Sequence, residues 1–326
     1  MTTPAPPHTR AVDPALSFAA PWGATGYLTQ LTGTPGPAVH WIEFTADPPQ
    51  QAANPPIVFV HGLGGSHLNW ALIGPALAAG RRALALDLHG FGLTPGTRAT
   101  AAVQANTELL DRFLRQVAGT PALLVGNSMG GMISMLQAHA HPDTVAGLVL
   151  ISPALPAARQ RPDWAVAGRF LTYALPGLGE LSLRAARGRT TPAQMVQQII
   201  ELCFADPARA DPAMLAAATA LAAYRRTMPG CDESMLGAAR SLLRILAQRQ
   251  HYEDMMAAIE APVLLIGGES DRLVAAASVR RAATLNPRWD SSVMAGVGHT
   301  AQLETPGLVT DAISGWLDRH HLLAAH

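Results

Sequence analysis

The chain contains no lysine: all 23 of its basic side chains are arginine. That excludes chemistry running through a lysine Schiff base. Charge of either sign is scarce, at 14% of residues, and balances to a formal net charge of +0. No basic field is available to attract nucleic acid. Cysteine occurs only twice, at Cys203 and Cys231, too few for a disulfide scaffold. The segment Met1–Arg10 lacks the basic start and apolar stretch of a secretory leader, so free thiols and a cytoplasmic location are expected. No Cys/His/Asp grouping has metal-ligand spacing, so neither metal nor cofactor is expected. The stretch 116–142 carries no charge, but Gly, Pro, Asn and Ser interrupt it, and it reads as buried core, not a membrane span.

Apolar residues make up 49% of the chain, swollen by alanine, and 326 residues suffice for one α/β core with an insertion. The most informative segment is Gly126-Asn127-Ser128-Met129-Gly130. It follows the apolar run Pro121–Val125 and opens Met129–His141, whose apolar residues recur at helical spacing. A serine between two glycines at a strand–helix junction is a nucleophile elbow, because side chains at Gly126 and Gly130 would strike the neighbouring strand and helix. The N–H groups opening that helix face the spot where an oxyanion forms. A serine hydroxyl needs a base, and the base needs an orienting acid. Two loops supply candidates. The strand Pro262–Ile266 runs into Gly267-Gly268-Glu269-Ser270-Asp271, and the strand ending Ser292–Met294 runs into Gly296-Val297-Gly298-His299-Thr300. Both Glu269 and Asp271 are available to His299 on this reading.

With His61-Gly62-Leu63-Gly64-Gly65 and Asp87-Leu88-His89-Gly90-Phe91-Gly92 added, the chain resembles the α/β-hydrolase superfamily over nearly its whole length. The resemblance implies Ser128 as nucleophile, Asp271 as acid and His299 as base, since the family places its acid three residues after the glycine. It also implies an oxyanion hole from the backbone N–H groups of Leu63 and Met129, and a structural, bracing role for His61 and His89. Glu304 is expected to be an anchor at the start of the last helix. A serine at position 128 separates the chain from the dehalogenases and epoxide hydrolases of this fold, which attack with a carboxylate.

The reaction expected is hydrolysis of a small or medium apolar carboxylic ester through an acyl-enzyme. Lactonase, thioesterase and perhydrolase chemistry use the same groups. The elbow is also similar to that of meta-cleavage-product hydrolases, which split C–C bonds. Against that stand the lack of a proline in the 61–66 loop and Thr300 where those enzymes carry tryptophan. A non-catalytic small-molecule receptor is the reading from another class.

The order of segments predicts an α/β fold with a mostly parallel central sheet covered by helices on both faces. Residues 1–25 are expected to form a loose arm, and 26–153 the first part of the core, opened by an antiparallel pair near Tyr27–Leu31 and Val39–Thr45. A helical cap is expected over 154–249, after the sixth strand, and the core resumes over 250–326. Trp164, Phe170, Tyr173 and Met195 are the candidate pocket residues of that cap. The expected partner is a small apolar ester, the expected state a monomer or homodimer, without nucleic acid.

Overall fold

Strict alternation along short apolar strands decides which face of the sheet each side chain takes. The computed structural model describes residues 8–33, 36–45, 54–157, 168, 171–320 and 322. Its strands are β1 (His8–Ala11), β2 (Ala24–Gln30), β3 (Val39–Phe44), β4 (Ile57–Val60), β5 (Ala83–Leu86), β6 (Ala122–Asn127), β7 (Val145–Ile151), β8 (Val263–Gly268) and β9 (Asp290–Met294). They lie in one sheet in the order β1-β2-β3-β5-β4-β6-β7-β8-β9. The pairings from β1 to β5 are antiparallel, and those from β5 through β9 are parallel.

Successive strand residues point to opposite faces. Val58 and Val60 therefore join Leu124, Leu148, Leu150 and Leu265 on one face, while Ile57 and Phe59 join Val125, Val149 and Ile266 on the other. Helices α1 (Gly74–Leu77), α2 (Val103–Phe113) and α3 (Met129–Ala140) belong to this first half. Phe113 of α2 and Met132 of α3 cover the first face; Leu77 of α1 covers the second, together with Ile313 and Trp316 near the C-terminus. Each such side chain, taken fully out of water, contributes about 1.5–3 kcal/mol.

The antiparallel opening pair forms as expected, as β2 and β3. The loose arm does not extend to residue 25. β1 pairs with β2 in register, His8 opposite Gln30, and Val12 N donates to Gly26 O at 2.9 Å. Every side chain of β1 is exposed, so the strand is held by backbone bonds and shows no apolar alternation in the sequence. It also makes the strand before the insertion the seventh in the chain and not the sixth.

Between β7 and β8 the described residues hold helices and no strand: α4 (Leu178–Arg189), α5 (Pro192–Cys203), α6 (Pro212–Arg225), α7 (Cys231–Ala247) and α8 (Arg249–Ala257). The prolines that interrupt this region mark helix starts. Thr191 and Asp211 cap α5 and α6, accepting from Gln194 N at 3.2 Å and Met214 N at 2.8 Å, with proline at the first helical position. Each cap contributes about 1 kcal/mol. The core resumes with β8, α9 (Ala276–Leu285) and β9, then α10 (Ala301–Glu304) and α11 (Pro306–Arg319). No helix among the described residues is long and apolar enough to cross a membrane.

Buried polar side chains fix the loops that leave β4 and β5. Asp87 Oδ2 accepts from His40 Nδ1 at 2.7 Å, His67 Nδ1 at 2.9 Å and Leu93 N at 2.8 Å, and Oδ1 from His67 N at 2.7 Å. Burial alone pushes this carboxyl up, but the charge of His67 and the two imidazole hydrogen bonds hold it well below the usual carboxylate range. The potential ligand atoms of His40, His67 and Asp87 lie within 4.8 Å of one another, a grouping that spacing along the chain does not reveal. Both Nδ1 atoms hydrogen-bond to one carboxylate oxygen, while His40 Nε2 and His67 Nε2 are buried without a hydrogen-bond partner among the described residues. His61 braces the neighbouring loop. Its Nε2 accepts Leu88 N–H at 3.1 Å, so its proton sits on Nδ1 and is donated to Gly62 O at 2.8 Å. Burial, opposed by the nearby Asp87 carboxylate, lowers its pKa from 6.5 to about 4.

That shift predicts acid lability. Between pH 6.5 and 4 the unfolded chain takes up a proton on His61 and the folded one does not. Stability therefore falls as pH falls through this window, by about 3 kcal/mol for this residue, and is fully present above it. Urea unfolding at pH 7 and pH 4.5 should show the loss, and His61→Asn should flatten it. An undiminished pH slope in the variant would refute the assignment.

Candidate active site

The turn between β6 and α3 has no room for side chains at its glycines. A β-carbon on Gly126 would stand 2.6 Å from Gly130 O, and one on Gly130 would stand 1.9 Å from Val60 O. Squeezed between strand and helix, Ser128 takes φ 53 and ψ −118, outside the regions a side-chain-bearing residue prefers. Its backbone is pinned on both sides: Ser128 N donates to Ile151 O at 3.1 Å, and its carbonyl accepts from Ala154 N at 2.9 Å and Met132 N at 3.2 Å. Its side chain, half-buried, heads α3. Met129, the first residue of α3, has an N–H with no carbonyl one turn earlier to receive it.

Two other loops converge on this turn. A β-carbon on Gly62 would come 3.0 Å from Ser128 Cβ, so the loop leaving β4 lies directly against the elbow. Leu63, next in that loop, is half-buried. From the other side, Asn127 Nδ2 donates to Ile151 O at 3.0 Å and to His299 O at 3.2 Å. The residue between glycine and serine thus ties the histidine loop to the elbow. The sequence motif leaves that position open, and no signal in it marks the asparagine.

His299 Nδ1 meets Asp271 Oδ2 at 2.8 Å, with both side chains almost wholly buried. Asp271 Oδ1 accepts Leu273 N at 2.8 Å and Val274 N at 2.9 Å. Burial pushes the Asp271 carboxyl up; the charge and hydrogen bond of His299 and these two N–H groups outweigh it and hold the pKa below its ordinary value. The carboxylate therefore stays ionised and can accept a hydrogen bond from Nδ1 of His299. Glu269 is exposed, and only its backbone is engaged, Glu269 N donating to Met294 O at 2.9 Å. Of the two acids in this loop, the one in contact with His299 is Asp271.

The insertion reaches the same place. Met235 of α7 stands over the 61–65 loop, its Cε 3.1 Å from where a β-carbon on Gly64 would be. Cys203 at the end of α5 offers its carbonyl to His299 N at 2.6 Å. Neither contact was legible in the sequence, one being a methionine among many and the other a backbone group. Of the candidate pocket residues, Trp164 and Phe170 lie outside the described residues. Tyr173 is half-buried, and its carbonyl accepts from Arg240 Nε at 2.9 Å. Met195 packs on the cluster of Val196, Ile200, Phe204 and Met214, between helices of the insertion. An open apolar groove of about 570 Å³ runs between α5 and α6, lined by residues such as Pro192, Leu215 and Ala223; Ser128, Asp271 and His299 do not line it. His89 is buried with its backbone N held by Asn106 Oδ1 at 2.8 Å. Among the described residues, neither Cys203 nor Cys231 is in a disulfide.

Known proteins agree with this architecture. Over 297 residues the chain is 28% identical to the dihydrolipoyllysine-residue acetyltransferase component of the acetoin cleaving system of Pseudomonas putida, a match covering 91% of this chain and 71% of that protein. It is also 28% identical over 270 residues to the pimeloyl-[acyl-carrier protein] methyl ester esterase of Aromatoleum aromaticum, covering 80% of this chain and 99% of the other. Among solved structures, the haloalkane dehalogenase DatA of Agrobacterium tumefaciens superposes with a TM-score of 0.74 at 19% identity, over 91% of this chain and 97% of that one. At such identity the likeness speaks for the fold alone. The sequence profile described as "alpha/beta hydrolase fold" matches residues 55–306. Its relatives are hydrolases, esterases and lipases among others, and the chain belongs to the alpha/beta hydrolase fold family.

Proposed function

We propose that the protein is a serine hydrolase of carboxylic esters, with Ser128 as nucleophile, His299 as base and Asp271 as the acid that orients it. The observation carrying this reading is the 2.8 Å Asp271–His299 bond, buried beside a strained serine whose neighbour Asn127 grips the His299 carbonyl. Asp271 fixes the proton of His299 on Nδ1, so that Nε2 is free to take the Ser128 proton as Oγ attacks the acyl carbon. The negative oxygen that develops is received by the N–H groups of Leu63 and Met129, each contributing about 2–4 kcal/mol to the transition state. The protonated His299 then gives its proton to the leaving alcohol. An acyl-enzyme remains, and a water deprotonated by His299 releases the acid. No cofactor takes part in this scheme.

An ester is favoured over other bonds by the near full-length similarity to a methyl ester esterase. The acyl group is expected to be small or medium and apolar, and the side chain that the insertion brings over the 61–65 loop, Met235, is an apolar one. Two cysteines outside any disulfide suit a reducing compartment, and we place the enzyme in the cytoplasm.

Hydrolysis of p-nitrophenyl esters from acetyl to palmitoyl, on wild type and Ser128→Ala, tests the reading. Turnover should peak at one chain length and fall by about 10⁶ in kcat in the variant. Ester turnover undiminished by Ser128→Ala would refute it. A silent panel with Ser128 still labelled by a fluorophosphonate would move the substrate to a specialised class, C–C bond cleavage first. Asp271→Asn should leave the fold intact and lower kcat by about 10⁴, since the amide favours the wrong imidazole tautomer. Glu269→Gln should leave kcat near wild type, and a reversed pattern between the two variants would reassign the acid.

A further inference from the structure

The loop bearing His299 is held by the core through Ser270, Asn127 and Asp271 and also meets the insertion, where one buried carboxylate closes the connection. Glu304, at the end of α10, has a fully buried side chain. Its Oε2 accepts Gly298 N at 2.7 Å and Ala205 N at 3.1 Å. Its Oε1 accepts Ala205 N at 3.1 Å, Asp206 N at 3.0 Å and Arg209 Nη1 at 3.2 Å. The same Arg209 Nη1 donates to Gly296 O at 2.9 Å. One carboxylate thus binds the residue before His299 and the turn that follows α5. Around it, His299 N rests on Cys203 O, and a β-carbon on Gly298 would stand 2.3 Å from that oxygen. Phe204 and Leu303, flanking the contact, are buried in one cluster.

We propose that Glu304 is a positioning residue, which locks the His299 loop to the docked insertion and so sets the height of the imidazole above Ser128. The proposal rests on the reading of His299 as the base. It explains why a carboxylate stands here. Four donors converge on the side chain, three backbone N–H groups and a guanidinium, and only a group with two acceptor oxygens and no hydrogen of its own satisfies them. An amide of the same shape has one acceptor oxygen. Its NH₂ must face either Gly298 N–H or the pair from Ala205 and Asp206, donor against donor, in a buried site. The strain is relieved by moving the loop, and the group that moves with it is His299.

Glu304→Gln tests the proposal, with kcat and KM for the best ester and the rate at which a fluorophosphonate labels Ser128. Displacing the base should lower kcat about tenfold to a hundredfold and slow labelling by the same factor. KM should stay within about twofold, because the substrate-binding surfaces are untouched. Wild-type kcat and labelling in this variant, or a change confined to KM, would overturn the proposal. Should Glu304→Gln fail to fold, Arg209→Met serves, since Arg209 is partly exposed and leaves the three N–H contacts in place. A fall in kcat and labelling together supports the lock, and unchanged values count against it. The wild type distinguishes the two levels of argument. If it shows no Ser128-dependent labelling, the hydrolase reading fails and this proposal with it; if it labels normally and the variants match it, only the proposal falls.

Discussion

The contact between Gly130 and the Val60 carbonyl governs this molecule's chemistry. With 1.9 Å available where a β-carbon would go, helix α3 sits directly on the end of β4, closer than any side chain permits. The chain between β6 and α3 must then reverse within one residue, and Ser128 absorbs the turn at φ 53. Such a conformation costs of order 1–3 kcal/mol. The burial of α3, whose Met132 and Ile133 are fully enclosed, offsets it. The serine is thrown out of the sheet at a helix N-terminus, where the backbone offers about half a positive charge. Everything else in the site is arranged around that fixed point.

What was legible in the sequence follows from this. The elbow, the 61–65 loop and the His299 loop are written in glycine, because they are the places where backbone meets backbone, and Gly62, Gly126, Gly130 and Gly298 each face an atom at 3.0 Å or less from the missing β-carbon. The glycines also mark the two loops that carry Glu269, Asp271 and His299, and the family resemblance then singles out Asp271. The sheet was legible because strands buried on both faces are short unbroken apolar runs. The edge strand β1 escaped, since the sheet holds it through backbone bonds and one Thr9–Thr29 hydroxyl contact, and its exposed side chains carry no apolar pattern. The cluster of His40, His67 and Asp87 escaped for a different reason: only the fold brings those positions together. Glu304 was read as an anchor of the last helix. Its side chain in fact reaches the insertion and the histidine loop at once.

The pocket was the least legible part. Met195 and Tyr173 were sensible choices by size and polarity, yet Met195 packs between helices of the insertion. Apolar residues on an insertion that covers a core serve its own packing and its contact with the core in the same alphabet. Periodicity does not separate those uses, and the contacts that matter most, such as Cys203 O with His299 N, involve no side chain.

Among the ties between the insertion and the core, two that meet the loops of the site are made by charges of opposite kind. Arg225, at the end of α6, donates to Gly90 O and Gly92 O at 2.7 Å each, with its guanidinium 6.0 Å above the Phe91 ring. Glu304 does the converse on the far side, accepting N–H groups from the turn after α5 and from Gly298. A cation takes carbonyls and an anion takes amides, and each charge-assisted bond is worth about 1.5–3 kcal/mol, more than a neutral one. Both ties grip main chain. A substitution elsewhere in the insertion can reshape the surface facing the substrate without altering either tie, provided the backbone path survives. Arg225 and Glu304 thus join the insertion to the loops around Ser128 and His299 through main-chain groups, which a change of side chain elsewhere in the insertion does not remove.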